Sequence, residues 1–571
     1  MNANKREWPL VESELMRKVA VLAALAAAAG LCARQPVRAR HGMVAAREAH
    51  ATDIGVAVLE SGGNAIDAAV AVGFALAVTH PAAGNIGGGG FLLARFADGR
   101  TVFLDFRERA PEKASRDMYL GADGKVTSDS VLGYRASGVP GTVRGLEMAH
   151  QKYGRKKWAE LVDPAVRLAA DGFPVSYGLA RSLRSPDASA RLGGFPESKR
   201  IFLNGGKHYE AGDRLVQPEL ARVLARIRDH GAQDFYEGET AQLLAADMRE
   251  HGGAITLDDL RNYKAIERPP LTGSYRGYSM VTAPPPSSGG VGILQMLGVL
   301  EGSGYEKTGF GSAESVHYMA EAMRRYFADR SEYMGDPDFY HVPVAGLLSP
   351  RYIAELRSTI DRNRATASAS LHPGKPGAYE SSETTHYSIV DAEGNAVAVT
   401  YTLNNSYGSA VTATKLGFLL NNEMDDFAAK PGTPNLFGLV QGEANAIQPR
   451  KTPLSSMTPT IVLRDGKLYL VVGSPGGPTI INTVLEVLVN VIDFGMNVAD
   501  AVDAPRLHHQ WMPDVLRLER GFSPDTVTLL KIRGHAIEFE NGQGEVAAIL
   551  AQDGWLEGSA DPRTEGTAKG Y

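Results

Sequence analysis

The sequence predicts a mixed α and β fold, and three observations along its 571 residues support this prediction. From about residue 130 to 348, apolar residues recur at helical spacing, as in PELARVLARIRDHG. After residue 384 the chain contains pairs of strand-like runs joined by Glu-Gly or Asp-Gly turns. Between these parts, residues 362–383 are rich in Ala, Ser, Pro and Gly, which is typical of an exposed flexible segment.

Length and charge narrow the class of protein. A chain of 571 residues is too long for one ordinary core and predicts about two to four domains, unless several layers fold as one unit. The 59 Lys and Arg residues nearly balance 65 Asp and Glu residues. This balance excludes the basic excess on which nucleic-acid binding depends.

The N-terminus predicts a secretory signal peptide over residues 1–33, with Met16 as an alternative start. A basic segment at residues 16–18 precedes the apolar run VAVLAALAAAAGLCA, which ends in small residues. A membrane anchor is the alternative, but the run is shorter than the ~20 residues that a spanning helix needs. We therefore expect export to the periplasm or the medium. Cleavage beyond Cys32, the only cysteine, removes any disulfide or thiol nucleophile.

The first helical run, AIDAAVAVGFALAV, has Asn64 as a predicted N-cap and Pro81 just beyond its end. The glycine cluster at residues 87–90 then leads into the strand-like FLLARF. It does not fit a phosphate-binding loop, because no Gly-Lys-Ser/Thr follows and the loop precedes a strand. It predicts instead a close approach of backbones beside a site.

Two later features complete the predicted elements. Residues 284–290, PPPSSGG, form a rigid turn that opens the helical run VGILQMLGVLE. The runs HYSIVDAEG–NAVAVTYTL and TPTIVLRDG–KLYLVVGS are predicted β-hairpins.

Thr384 lies directly at the start of the first of these hairpins. A threonine hydroxyl becomes a nucleophile only if a nearby base takes its proton, and its own α-amine serves once the chain is cut before it. The reference pKa of an α-amine, about 7.7–8.0, suits that role near neutral pH. The position of Thr384 therefore indicates a self-cleaving protein.

Eight motifs occur in order from about residue 42 to the C-terminus: GNIGGGGF, LDFRERAP, PPPSSGG, TTHYSIVD, VTYTLN, LLNNEMDDF, PLSSMTPTIV and GSPGG. Through them the chain resembles the gamma-glutamyltransferase (gamma-glutamyl transpeptidase) family of N-terminal nucleophile hydrolases. The resemblance implies an α+β fold, a four-layer αββα sandwich built jointly by two subunits of one precursor. It also implies cleavage between Glu383 and Thr384, which gives a large subunit of residues 34–383 and a small catalytic subunit of residues 384–571.

The resemblance further implies how a γ-glutamyl group is bound. Arg107 corresponds to the arginine that binds the α-carboxylate, and a guanidinium holds a carboxylate through two parallel hydrogen bonds. Ser455 and Ser456 are expected to add hydroxyl donors. The alternative for Arg107 is a surface salt bridge with Glu108 or Asp105.

The α-ammonium group is expected to bind Asn404, Glu423 and Asp426. Glu423 stands where some members of the family have Gln, and both residue types accept hydrogen bonds from an ammonium group. Because Glu423 and Asp426 lie in the acidic run EMDD, a solvated turn is the alternative.

Three residues are expected to assist the nucleophile. Thr402 corresponds to the family position whose hydroxyl bonds the nucleophile, although a strand threonine chosen for its β-branching is the alternative. Gly476 and Gly477 are expected to donate backbone N–H groups to the oxyanion, with a tight turn as the alternative. Ser474 does not fit a nucleophile elbow, since Val472 occupies a position that needs Gly.

We expect no metal and no cofactor. His508 and His509 are adjacent, so on a strand they point to opposite faces and do not share an ion. The segment 431–445 resembles the lid loop of bacterial members, with Phe437 where some of them have Tyr.

The predicted reaction is transfer of the γ-glutamyl group of glutathione or a similar donor to water, an amino acid or a dipeptide, through an ester on Thr384. Two alternatives remain open at this point. One is an acylase of the same fold acting on glutaryl or cephalosporin side chains, and the other is an uncut, exported binding protein. The sequence leaves the balance between hydrolysis and transfer open.

Overall fold

Two seven-stranded sheets form the centre of the computed structural model, which describes residues 34–371, 383–431 and 442–571. The predicted signal peptide at 1–33 and the predicted lid residue Phe437 lie outside the described residues. In both sheets every neighbouring pair of strands is antiparallel.

Each sheet combines strands from both sides of the predicted cleavage point. The first sheet has the order β19 (Thr567–Gly570), β2 (Met43–Ala46), β10 (Glu383–Val390), β11 (Ala396–Asn404), β3 (Gly89–Arg95), β4 (Thr101–Phe106), β7 (Ile266–Arg268). The second sheet has the order β1 (Val37–Ala39), β18 (Trp555–Ala560), β17 (Ala547–Gln552), β13 (Lys467–Gly473), β12 (Thr460–Arg464), β9 (Tyr278–Thr282), β8 (Leu271–Tyr275). Two small sheets contain β5 (Phe173–Pro174) with β6 (Arg214–Leu215), and β14 (Leu507–His508), β15 (Leu516–Glu519) with β16 (Ile537–Glu540).

Helices cover the outer face of each large sheet. Those that pack with the first sheet are Ala49–Glu60, Ala65–Thr79, Thr142–Tyr153, Trp158–Asp171, Tyr177–Leu183, Pro186–Gly193, Pro196–Phe202, Pro218–His230, Ala232–Glu237, Glu239–Glu250 and Leu257–Asn262. Those that pack with the second sheet are Gly289–Leu300, Ala313–Tyr333, Val344–Leu347, Pro350–Ser358, Thr479–Ile492, Val498–Asp503 and Pro524–Ile532. None of the helices in the described chain is both long enough and apolar enough to cross a membrane.

Side-chain alternation along the strands separates two cores. Leu92 and Leu104 pack with the helices outside the first sheet. Phe91, Leu93 and Phe103 point the other way, into the core shared with the second sheet. Because strand side chains alternate between faces, one sheet serves both cores. The predicted four-layer αββα sandwich is confirmed.

The local predictions are mostly confirmed. Both hairpins form, and Asn64 caps its helix by accepting a hydrogen bond from the backbone N–H of Asp67. A Cβ atom on Gly88 would lie 2.0 Å from the carbonyl oxygen of Thr402, so the glycine cluster does mark a close approach of backbones.

The prediction of an exposed segment is largely confirmed for the described residues 362–371, of which six are exposed and one is buried. Ser368 is buried, its N–H donates to the Asp514 carboxylate at 2.7 Å, and its carbonyl accepts from the indole N–H of Trp511 at 2.9 Å. These hydrogen bonds are made by the backbone groups of Ser368, which almost every residue type carries. The amino-acid composition of the segment therefore gives no sign of them.

Two buried histidines, His386 and His508, should make the stability of the protein depend on pH. Burial lowers the pKa of both His386 and His508 to about 3. The folded state therefore binds fewer protons than the unfolded state between pH ~3 and ~6.5, and stability falls as pH falls through that range. Each such histidine lowers the free energy of unfolding by about 1.4 kcal/mol at pH 5.5, compared with pH values at which it is neutral in both states. In urea titrations at pH 7.5 and 5.5, H508Q should show a smaller loss between the two pH values than the wild type. An equal loss would contradict a neutral, buried His508.

Candidate active site

Thr384 is the second residue of β10 and lies at an irregularity in its pairing with β11. Glu383 pairs with Asn404 and Thr385 pairs with Tyr401, so two residues of β11 lie opposite Thr384. Its side chain is buried, and its Oγ1 lies 3.5 Å from the Oγ1 of Thr402. Bulges of this kind are common beside active sites, because they locally release the backbone from the hydrogen-bonded ladder.

Strand alternation sets the direction of the Thr384 side chain. His386 and Ser388, on the same face, contact the second sheet: a Cβ atom on Gly473 would lie 2.3 Å from the His386 ring, and Ser388 donates to the carbonyl of Ala547. Thr384 therefore belongs to the face between the two sheets.

The structure brings Thr402 close to Thr384, as predicted. Its hydroxyl oxygen accepts a hydrogen bond of 2.8 Å from the backbone N–H of Asn404. Asn404 has a φ of 76°, in the left-handed region that Asn tolerates better than most residues, and its side-chain amide donates to the carbonyl of Asn422 at 2.9 Å. The turn after β11 thus orients the Thr402 hydroxyl.

Gly476 and Gly477 form a loop between β13 and the helix Thr479–Ile492. Their φ angles are 130° and 57°, which other residue types adopt only with strain. Their carbonyls accept from the start of the helix, and within the described residues their own N–H groups donate to no atom. Two free donors at a helix N-terminus suit a developing negative charge.

Arg107 directly follows β4 and is buried, with 2% of its surface exposed. Its guanidinium forms ion pairs with Glu423 and Asp426, and it donates to the carbonyl of Leu454 at 3.1 Å. Both carboxylates are also buried. The alternatives of a surface salt bridge for Arg107 and a solvated turn for the acidic run are therefore wrong.

This pairing is the main feature of the site that the sequence did not reveal. The group predicted to bind a carboxylate is bonded to two of the groups predicted to bind an ammonium. An isolated buried charge is costly. The positive charge of Arg107 and the negative charges of the two carboxylates therefore compensate one another. A ligand that carries both a carboxylate and an ammonium can separate this pair and still leave every charge with an opposite partner.

Glu108 is a further buried member of the cluster, which the sequence offered only as a surface partner. Its carboxylate lies 3.6 Å from the guanidinium of Arg107. Burial raises the pKa of Glu108 to about 7, and it also raises the pKa of Glu423 and of Asp426, because desolvation outweighs the attraction of Arg107. Burial therefore makes the carboxyl groups of this cluster hold a proton more strongly than exposed carboxyl groups do.

Ser455 and Ser456 are buried and directly follow Leu454, whose carbonyl accepts a hydrogen bond from Arg107. The Ser455 Oγ accepts from the backbone N–H of Met457 at 3.1 Å, and the Ser456 Oγ lies 3.4 Å from the Arg330 guanidinium. Arg330 belongs to none of the eight motifs and was not singled out from the sequence. That helix, Ala313–Tyr333, also buries Arg324, Arg325 and Asp329.

The candidate metal ligands have other partners. His508 bonds the side chains of Asn482 and Gln510, whereas His509 accepts from the backbone N–H of Trp511. A geometric group of possible ligands comprises His317, Glu321 and His535. In that group the two imidazoles bond each other at 2.8 Å and Glu321 pairs with two arginines, so hydrogen bonds already occupy these atoms.

A four-layer sandwich in which a hydroxyl residue opens a central strand defines the class of N-terminal nucleophile hydrolases. Residues 51–571 match the family Gamma-glutamyltranspeptidase, and this chain belongs to that family.

Relatives and solved structures extend over most of the chain. The glutathione hydrolase proenzyme of Escherichia coli (strain K12) is 52% identical over 531 residues, which are 93% of this chain and 91% of that protein. The cephalosporin acylase of Bacillus halodurans superposes with a TM-score of 0.85 at 28% identity, covering 94% of this chain and 97% of that one. The gamma-glutamyltranspeptidase of Helicobacter pylori gives 0.56 at 47% identity, covering 57% of this chain and 94% of that one.

Proposed function

We propose that this protein is an enzyme that transfers the γ-glutamyl group of glutathione and similar donors to water, an amino acid or a dipeptide. The buried cluster of Arg107, Glu423 and Asp426 carries this proposal, because it offers opposite charges to the α-carboxylate and the α-ammonium of a glutamyl group. Ser455 and Ser456 assist at the carboxylate and Asn404 at the ammonium. The 52% identity to a protein named glutathione hydrolase proenzyme supports the same reaction.

The proposed chemistry has two acyl-transfer steps. The Thr384 Oγ attacks the γ-carbonyl carbon while the α-amine of Thr384 takes the hydroxyl proton, with Thr402 orienting the hydroxyl. The N–H groups of Gly476 and Gly477 stabilise the oxyanion, which collapses to an ester as the leaving amine takes the proton. Water or an acceptor amine then attacks the ester and restores the Thr384 hydroxyl.

The same hydroxyl is proposed to release the α-amine. It attacks the carbonyl carbon of Glu383, the peptide bond shifts to an ester, and water opens that ester between residues 383 and 384. The products are the subunits 34–383 and 384–571, which stay together because both contribute strands to each large sheet. Removal of residues 1–33 on export completes the proposed maturation.

Intact-mass spectrometry of the purified protein tests the cleavage, and the expected result is two fragments, one of which begins at Thr384. An uncut chain without activity would favour the binding-protein alternative.

Rates with γ-glutamyl and glutaryl anilides test the donor. The glutaryl compound is included because a cephalosporin acylase superposes at a TM-score of 0.85. We expect a strong preference for the γ-glutamyl anilide, because a glutaryl group would leave the buried Glu423 and Asp426 without an ammonium partner. A preference for the glutaryl anilide would refute the proposed donor.

A further inference from the structure

Arg330 is a buried cation to which the proposed reaction gives no role, although it lies beside a serine proposed to bind the donor. It belongs to the helix Ala313–Tyr333, and 1% of its surface is exposed. Its Nε donates to the Ser288 Oγ at 2.8 Å, and a terminal nitrogen donates to the Ser456 Oγ over 3.4 Å. Because burial of a charge is costly, these two contacts indicate a specific task for the guanidinium.

The rigid turn at residues 284–290 connects Arg330 to the other serine of the site. The backbone N–H of Ser455 donates to the carbonyl of Pro286 at 2.9 Å. The carbonyl of Ser455 accepts from the backbone N–H of Ser288 at 2.7 Å and from the Ser288 hydroxyl at 2.8 Å. The turn therefore fixes the backbone of Ser455 on both sides, and Arg330 holds the Ser288 hydroxyl that contributes to this arrangement.

Arginine donates hydrogen bonds and accepts none, and this sets the direction of both hydroxyl groups that it contacts. The Ser288 Oγ accepts from Arg330, so its hydrogen points to the carbonyl of Ser455. The Ser456 Oγ also accepts from Arg330, but its hydrogen has no acceptor among the described residues. Since buried hydroxyl groups normally donate as well, the Ser456 hydrogen is available to a bound ligand.

The charge of Arg330 also acts on the buried cluster of the site. Burial raises the pKa of Asp426, and the attraction of Arg107 and then of Arg330 opposes this rise. Two arginines thus act on one buried carboxylate. The end of the site that contains Ser456 is more positive than Arg107 alone would make it.

We propose that Arg330 is a positioning residue for the α-carboxylate of a γ-glutamyl donor. It directs the hydrogen of the Ser456 hydroxyl at that carboxylate and, through Ser288, fixes the backbone of Ser455. This role rests on the proposed function, and it makes the site select ligands that carry an α-carboxylate. Arg330 acts on a part of the donor that does not react, so it should affect binding more than kcat.

Inhibition of γ-glutamyl anilide hydrolysis by glutamate and by 4-aminobutanoate tests this role. The two inhibitors differ only in the α-carboxylate. In Arg330→Gln the inhibition constant of glutamate should rise about tenfold, as expected for the loss of a charge-assisted hydrogen bond, whereas that of 4-aminobutanoate should stay near the wild-type value. The KM for the anilide should rise by a similar factor with kcat nearly unchanged.

Three further variants complete the design. Arg330→Lys keeps the charge and should recover part of the affinity for glutamate. Ser288→Ala leaves Arg330 in place and should weaken glutamate binding about threefold, so it tests the same link if Arg330→Gln does not mature. Ser287→Ala is the matched control, because this buried neighbour donates to the carbonyl of Met457 at 2.7 Å, with a longer contact of 3.4 Å to the carbonyl of Ser455. It should leave the ratio of the two inhibition constants at the wild-type value.

The outcomes are distinct. Inhibition constants that rise equally for both inhibitors in Arg330→Gln would show a merely structural role and overturn the proposal, as would an unchanged constant for glutamate. If Arg330→Gln gives no mature protein, an unchanged ratio in Ser288→Ala has the same force. A wild type that does not hydrolyse the γ-glutamyl anilide at all would refute the proposed function instead.

Discussion

Thr384→Ala should leave a single uncut chain and lower γ-glutamyl transfer at least about 10⁴-fold, the scale on which loss of a nucleophile acts. The variant lacks the hydroxyl that is proposed to open the 383–384 bond and to form the acyl ester. It should fold normally, because among the described residues the lost hydroxyl has only a long contact of 3.5 Å to Thr402. A denaturing gel and the rate of γ-glutamyl anilide hydrolysis measure both effects.

Two neighbouring substitutions serve as controls. Thr384→Ser keeps a hydroxyl and should be cut and active at reduced rates. Thr385→Ala removes a buried hydroxyl that has no hydrogen-bond partner among the described residues, on the opposite face of β10. It should be cut and active at nearly the wild-type level. An alanine variant at 384 that is cut and active would refute the assignment of the nucleophile.

Arg107→Ala should reduce kcat/KM for γ-glutamyl donors about 10³-fold and the free energy of unfolding by about 3 kcal/mol. A γ-glutamyl donor loses the cation that is proposed to bind its α-carboxylate. The protein loses the guanidinium that forms ion pairs with the buried carboxylates of Glu423 and Asp426. Steady-state kinetics and urea unfolding measure the two losses separately.

The loss of unfolding free energy in Arg107→Ala should depend on pH in a definite direction. Burial raises the pKa of Glu423 and of Asp426, so the folded state holds more protons than the unfolded state and this contribution to stability is lost as pH rises. Without Arg107 the carboxyl groups favour their protonated forms more strongly. The stability deficit of Arg107→Ala should therefore grow between pH 5.5 and pH 8.5. Arg107→Lys should recover part of the stability but little of the kcat/KM, because an ammonium lacks the planar fork. A deficit that shrinks with rising pH would contradict this account of the cluster.

Much of the fold could be predicted because local chemistry specified it. The turn of Asp465 and Gly466 has φ angles of 51° and 74°, the conformation that an Asp-Gly hairpin turn predicts. The helix after Asn64 begins where its capping residue stands. The layered arrangement was predicted from the family resemblance instead. The pairing of β10 with β2, more than 300 residues away, leaves no signal in local periodicity.

Motifs alone were enough to predict which residues lie in the proposed site. Thr384, Thr402, Arg107, Glu423 and Asp426 were all recognised from motifs, because chemistry of this kind requires particular residue types in a fixed order along the chain. The arrangement of the charges, in contrast, follows from the fold. Arg107 is paired with the two carboxylates rather than exposed, and Glu108 and Arg330 are buried near them. Burial and pairing depend on contacts between distant segments, and desolvation sets the charge state of a group only once those contacts exist.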